Sequence, residues 1–255
     1  MSTFAGNGST GSTNGPAATA SFNQPYGVAV DASGNVYVAD MSNNLIREIS
    51  GGVVSTLAGS AGVSGSTNGT GTAASFYLPH AVAVDSSGNV YVADTFNNLI
   101  REITPGGVVS TFAGTSPTFY NPYGVAVDTA GNVYVGDSGN NLIRKITSGG
   151  VVTTLAGSGS IGSVNGTGTA ATFTFPTGVA VDTSGNVYVS DEGNNKVREI
   201  TAGGVVSTLA GSGSSGSTNG PASSASFFIL YGIAVDASGY VYVADSANSL
   251  IREIQ

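Results

Sequence analysis

The chain has 255 residues, of which 40% are apolar and only 9% charged, with 39 glycines and no cysteine. Its net charge of −8 excludes the clustered Lys and Arg that a nucleic acid or an anionic membrane surface requires, and the missing cysteines exclude disulfides and thiolate metal sites. Abundant Gly, Ser, Thr, Asn and Val favour short strands and tight turns over long helices, so the expectation is an all-β globular chain.

The first residues, MSTFAGNGST, lack the basic and apolar regions of a signal peptide, and no run of 18 apolar residues follows them. From Tyr26 to Ile49 the chain reads YGVAVDASGNVYVADMSNNLIREI, and this stretch returns four more times. Aligned on their first aspartate, the copies fall at Asp31, Asp85, Asp128, Asp182 and Asp236, spaced by 54, 43, 54 and 54 residues. Within a copy, GVAV, VYVAD and LIREI read as strands. In the first four copies GGVV followed by STLAG, STFAG or TTLAG supplies a fourth. VYV sets Val36 and Val38 on one face and Tyr37 on the other, the alternation of a strand, and Gly-Asn and Gly-Gly supply the turn residues of tight hairpins. Each copy is therefore expected to form a four-stranded antiparallel meander.

Such a sheet is apolar on both faces, because Leu45 and Ile49 project opposite to Ile46. Stacking equivalent sheets around an axis covers both faces of each. The expectation is one β-propeller domain over residues 1–255, with five four-stranded blades at about 25–59, 79–114, 122–157, 176–211 and 230–255 plus 1–6. GVAV, built of small residues, is the expected innermost strand. The chain stops at SLIREIQ, before a fourth strand in the last copy, and starts with STFAG at Ser2–Gly6; the two ends are expected to pair and close the ring as a monomer.

The pattern of Pro or Leu, an aromatic, Gly, then VAVD, GNVYVAD, an Asn-containing turn and LIREI resembles the NHL-repeat family of β-propellers, over essentially the whole chain. The resemblance implies radial blades around a channel, with ligands or partners met on one rim. The family most often closes with six blades, so five is a departure. It includes enzymes, RNA binders, receptor ectodomains and interaction modules, and function does not follow from the fold.

Four of the connections between blades make long uncharged excursions, such as SAGVSGSTNGTGTAASFYL, while the one before the third copy is only TSPTFYN. All five keep a phenylalanine, Phe22, Phe76, Phe119, Phe173 or Phe227. A residue retained when the excursion is lost reads as an anchor packed between blades, and the Asn-Gly segment reads as optional decoration. GPAATASF predicts one helical turn with proline at its first position. The excursions are expected on the same rim as the turns after Asp40 and its equivalents.

Every acid and base lies inside the blade units. A catalytic constellation needs unlike groups in unlike environments, which near-identical copies do not supply; no catalytic residue, metal or cofactor is expected. Asp31 and its equivalents read as caps of their own turns, because one carboxylate per turn falls short of a calcium site. Asp40 and Arg47, with their equivalents, read as a buried pairing network, and the three Asn-Gly-Ser/Thr sequons at Asn7, Asn68 and Asn165 as products of the repeat's own turn. His80, the single histidine, stands at the position held elsewhere by Tyr26, Tyr123, Thr177 and Tyr231. These five residues form the candidate ligand-binding ring at the channel mouth, with a packed aromatic rim as the plain alternative. The expected function is a non-catalytic scaffold binding a protein or a small polar ligand, extracellular or periplasmic in a bacterium, with no nucleic-acid or membrane partner. The alternatives are a lectin-like multivalent glycan binder, a lactonase- or lyase-like propeller, and a recently amplified or engineered repeat with no evolved ligand.

Overall fold

The computed structural model describes residues 1–114 and 119–255. It divides into two compact units, Met1–Thr118 and Phe119–Gln255; the connection TSPTFYN lies largely outside the described residues. Among these, all extended structure is antiparallel sheet, apart from isolated bridges and single 3₁₀ turns. No helix is long and apolar enough to cross a membrane among the described residues.

The first unit holds two blades. One contains β1 (Gly15–Pro16), β2 (Pro25–Val30), β3 (Val36–Asp40), β4 (Leu45–Ser50) and β5 (Val53–Ala58), in the order β1-β5-β4-β3-β2. The other repeats this order with β6 (Gly69–Thr70), β7 (Ala81–Val84), β8 (Val90–Asp94), β9 (Leu99–Ile103) and β10 (Val108–Ala113). The second unit holds three blades. Its first is a plain four-stranded meander of β11 (Pro122–Val127), β12 (Val133–Asp137), β13 (Leu142–Ile146) and β14 (Val152–Ala156). Next comes a five-stranded sheet of β15 (Gly166–Thr167), β16 (Pro176–Val181), β17 (Val187–Asp191), β18 (Lys196–Ile200) and β19 (Val205–Ala210), then a three-stranded one of β20 (Leu230–Val235), β21 (Val241–Asp245) and β22 (Leu250–Ile254). The extra two-residue strands come from the excursions, whose Gly-Pro or Gly-Thr pairs with the outer strand of the following blade.

GVAV is the inner strand, as expected: β2 packs on β7 in the first unit, and β11 on β16 and β16 on β20 in the second. The approach is close enough to demand glycine. A Cβ added at Gly27 would lie 2.6 Å from the His80 carbonyl oxygen. The cores between blades mix residues of both neighbours; Tyr37, Ala39 and Ile46 of one blade surround Phe76, Val82 and Val92 of the next. The retained phenylalanines are the expected anchors, with Phe76 and Phe173 wholly buried.

The expected closing strand is not formed among the described residues. Residues 1–6 carry no strand, and the last sheet stops at β22, which pairs with β21 alone. Gly6 and Asn7 instead donate their N–H groups to the Ala17 and Ala20 carbonyls, so this segment is tied to the excursion that follows it. The helical turn expected of GPAATASF is only a hydrogen-bonded turn: Pro16 belongs to β1, and the Ala20 N–H reaches its carbonyl at 3.0 Å.

Candidate functional site

Each blade first uses its acids for its own structure. In the DASGN turn, Asp31 accepts the N–H groups of Ser33 and Asn35 at 2.9 Å and the Asn35 side-chain amide at 2.8 Å, with Tyr37 Oη at 3.2 Å. The Asn35 side chain is the largest influence holding the Asp31 carboxyl below its ordinary pKa. Asp85, Asp128 and Asp182 repeat the arrangement. The expected turn cap is what the geometry shows.

The second aspartate forms the buried network. Arg47 Nη1 lies 2.8 Å from Asp40 Oδ2, both side chains fully buried, and the same pair recurs as Arg101–Asp94 and Arg198–Asp191, also fully buried. The guanidinium also donates to the Ser21 and Thr13 carbonyls at 3.1 Å and to Asn14 Oδ1 at 2.7 Å. It stacks over the Phe22 ring at 5.1 Å. Thr13 and Asn14 belong to the excursion. The Asn-Gly segment is therefore no decoration: its asparagine caps a buried arginine, and Asn68, Asn165 and Asn219 do the same for Arg101, Arg198 and Arg252. In the third blade no such asparagine is available, and Arg144 turns to bond Asp137 through Nε and Thr154 through Nη1, with 18% of its side chain exposed. Asn43 and its equivalents tie the excursions to the turns after Asp40, as expected of a shared rim.

Burial pushes the Asp94 carboxyl up to about 6, a shift of the kind seen in catalytic acids. The carboxylate is nevertheless fully engaged by the Tyr77 N–H, the Asn97 amide and Arg101, which leaves no face for a substrate.

The five expected binding residues divide between the units. In the first, Tyr26 and His80 meet edge to face with ring centroids 5.0 Å apart. Burial lowers the His80 pKa, opposed by the Leu78 carbonyl 2.9 Å from Nδ1, so the imidazole is neutral near pH 7. In the second, burial raises the Tyr123 phenol, helped by Tyr231 and Glu192. Thr177 is a correction: it is 3% exposed, and its hydroxyl donates to the Leu230 carbonyl at 2.8 Å, so it serves packing and not ligand contact. The sequence reading also missed two aromatic residues that extend this pair. Phe96 lies parallel to the imidazole at 6.3 Å, and Tyr77 lies 5.4 Å from Phe96. Both follow repeat landmarks, Phe76 and Asp94, and only the second copy is aromatic at both positions; that coincidence was the available signal. Tyr26, Tyr77 and Phe96 are each 40–45% exposed.

The family model of the NHL repeat matches residues 22–48, 76–102, 119–146 and 173–200, the segments that hold the Phe, the two Asp residues and the Arg of four blades. The chain is an NHL-repeat β-propeller. Its fifth NHL-like copy follows the same register, with Arg252 on Asp245 at 2.9 Å. A curated relative, the chloroplastic protein Suppressor of quenching 1 of Arabidopsis thaliana, is 34% identical over 94 residues, which are 36% of this chain. The match spans only 9% of that protein's length. Among solved structures, an auxiliary nutrient binding protein from Bacteroides ovatus aligns over 100% of this chain and 76% of its own at a TM-score of 0.67 and 19% identity. Virginiamycin B lyase from Staphylococcus aureus aligns over 91% of this chain and 69% of its own at 0.62 and 16% identity. At such identities the likeness concerns the propeller fold.

Proposed function

We propose that this NHL propeller is a non-catalytic binding module, and that the exposed rings of Tyr26, Tyr77 and Phe96, grouped around the buried His80, contact its ligand. The cluster carries the reading. Three partly exposed rings stand together on one unit around a buried, neutral imidazole, and such a surface suits a small polar ligand with a flat apolar face, such as a neutral sugar ring. The occupied state of Asp94 and its equivalents supports a binder over an enzyme of the lyase kind. A place outside the cytoplasm, extracellular or periplasmic, agrees with the sparse charge and the Ser/Thr/Gly-rich surface.

Because His80 is the only histidine, its imidazole gives a single resolved NMR reporter inside the cluster. Titration with a panel of neutral oligosaccharides should move that signal saturably, and Phe96→Ala should weaken the response at least tenfold. A signal that stays still across the panel, or turnover of virginiamycin B by the protein, would overturn the proposal.

A further inference from the structure

The outer edge of the third blade differs from those of its siblings. In the first, second and fourth blades the outer strands β5, β10 and β19 are covered by β1, β6 and β15, the two-residue strands of the excursions. β14 ends the order β11-β12-β13-β14, so among the described residues its far side is an open sheet edge. The cause lies in the length of the connection. The second blade reaches Phe76 from Gly59 through residues 60–75, which hold Thr67-Asn68-Gly69-Thr70, whereas the third reaches Phe119 from Gly114 through residues 115–118, which hold no such segment.

Side chains mark the same edge. Val54, Val109 and Val206 of the covered outer strands are 1–2% exposed and share clusters with Ala20, Ala74 and Ala171 of the excursions, whereas Val152 at the same position is half-buried. Asn14, Asn68 and Asn165 accept from the arginine of their blade at 2.6–2.7 Å, whereas Arg144 bonds Asp137 and Thr154 and keeps 18% of its side chain exposed. The charge differs too. The strand next to the outer one carries Arg and Glu in the other blades, as at Arg101 and Glu102, but Arg144 and Lys145 in the third. Consecutive strand residues face opposite sides of a sheet, so this edge has a cation on each face, with the Lys145 ammonium 5.2 Å from the Tyr134 ring.

We propose that the third blade receives an extended acidic peptide of a partner protein as its fifth strand. Backbone hydrogen bonds to β14 supply the affinity, as when a strand is added to any exposed sheet edge. The filled blades specify the side chains. An Asp before Gly takes the position of Asn68 and presents its carboxylate to Arg144, and a small apolar residue takes that of Ala74 and covers Val152. A carboxylate is favoured over an amide at this edge because Lys145 stands where the other blades hold a glutamate that would repel it. The site uses no residue of the aromatic cluster and does not depend on the ligand proposed for it.

Fluorescence anisotropy of the labelled peptide STDGTGTAAS, which is residues 66–75 with Asp in place of Asn68, tests this on the full chain. Binding should saturate in the micromolar range, weaken with added salt and exceed that of the unaltered STNGTGTAAS by about fivefold. Lys145→Glu, which restores the residue of the other blades, should remove that preference. Replacing residues 115–118 by the second blade's residues 60–75 should fill the edge and abolish binding. Should that variant fail to fold, hydrogen exchange on the unaltered chain decides: the peptide should slow exchange of the Val152–Leu155 amides and leave β5, β10 and β19 unchanged. No saturation up to about 1 mM, equal affinity for the two peptides, a preference that survives Lys145→Glu, binding that survives filling of the edge, or protection confined to other strands would overturn the proposal.

Discussion

Tyr37 illustrates how one residue joins packing to electrostatics. Its ring is buried between blades, its hydroxyl lies 3.2 Å from Asp31, and burial followed by the Asp31 charge pushes its pKa from 10.0 up to about 12. Tyr188 is pushed up to about 12 for the same reasons, and burial also raises Tyr91 and Tyr134. The folded state thus favours the neutral phenol. Its contribution to stability is complete below pH 10.0, the ordinary phenol value, and is lost as pH rises towards 12. Ultraviolet titration should show this set ionising only beyond pH 11, together with a fall in unfolding free energy over the same range; ionisation of all eleven tyrosines near pH 10 with no such fall would contradict the assignment. The role of Asp31 was legible in DASGN because an Asp before Gly at that spacing caps its own turn. The asparagine cap of Arg47 was not legible, since the partners are 33 residues apart and sequence pattern carries no distance across a blade.

At the scale of the element, strand order and the innermost place of GVAV followed from residue size and alternation, and the structure agrees. The glycine within that strand makes a further prediction. Gly178→Ala drives a Cβ into the Tyr231 carbonyl and should destabilise by about 1–3 kcal/mol, the usual range for overpacking. Gly232→Ala, whose Cβ would meet nothing nearer than Ala244 at 3.8 Å, should change stability by less than about 0.5 kcal/mol. Urea unfolding of both variants separates the cases, and equal losses would contradict the stacking described. The excursions were the least legible elements. Reading the Asn-Gly segment as optional rested on the short third connection, and the structure corrects it: the segment's asparagine caps Arg47, whereas in the third blade Arg144 is partly exposed and bonded differently. The closing strand expected of STFAG is not formed among the described residues; a repeat match gives strand propensity, and pairing depends on geometry that local pattern does not contain.

For the whole molecule, the account rests on the claim that the charges of this propeller are structural, and that its binding surface is aromatic and neutral. The near-repetition of the blades made the first part readable, because a group present once per copy is first a property of the copy. The second part was only half readable. The mixed ring at the strand starts contains Tyr26 and His80 of the proposed cluster, includes the buried Thr177, and omits Tyr77 and Phe96, which come from turns and join the cluster only through folding. The most direct test of the central claim is equilibrium unfolding of Arg47→Met, Arg101→Met, Arg198→Met and Arg144→Met. The first three leave an aspartate buried without its cation and should each lose about 3–5 kcal/mol, while Arg144→Met, at the partly exposed site, should lose less than half as much. Losses below about 1 kcal/mol at the three sealed sites, or a loss at Arg144 as large as theirs, would contradict it.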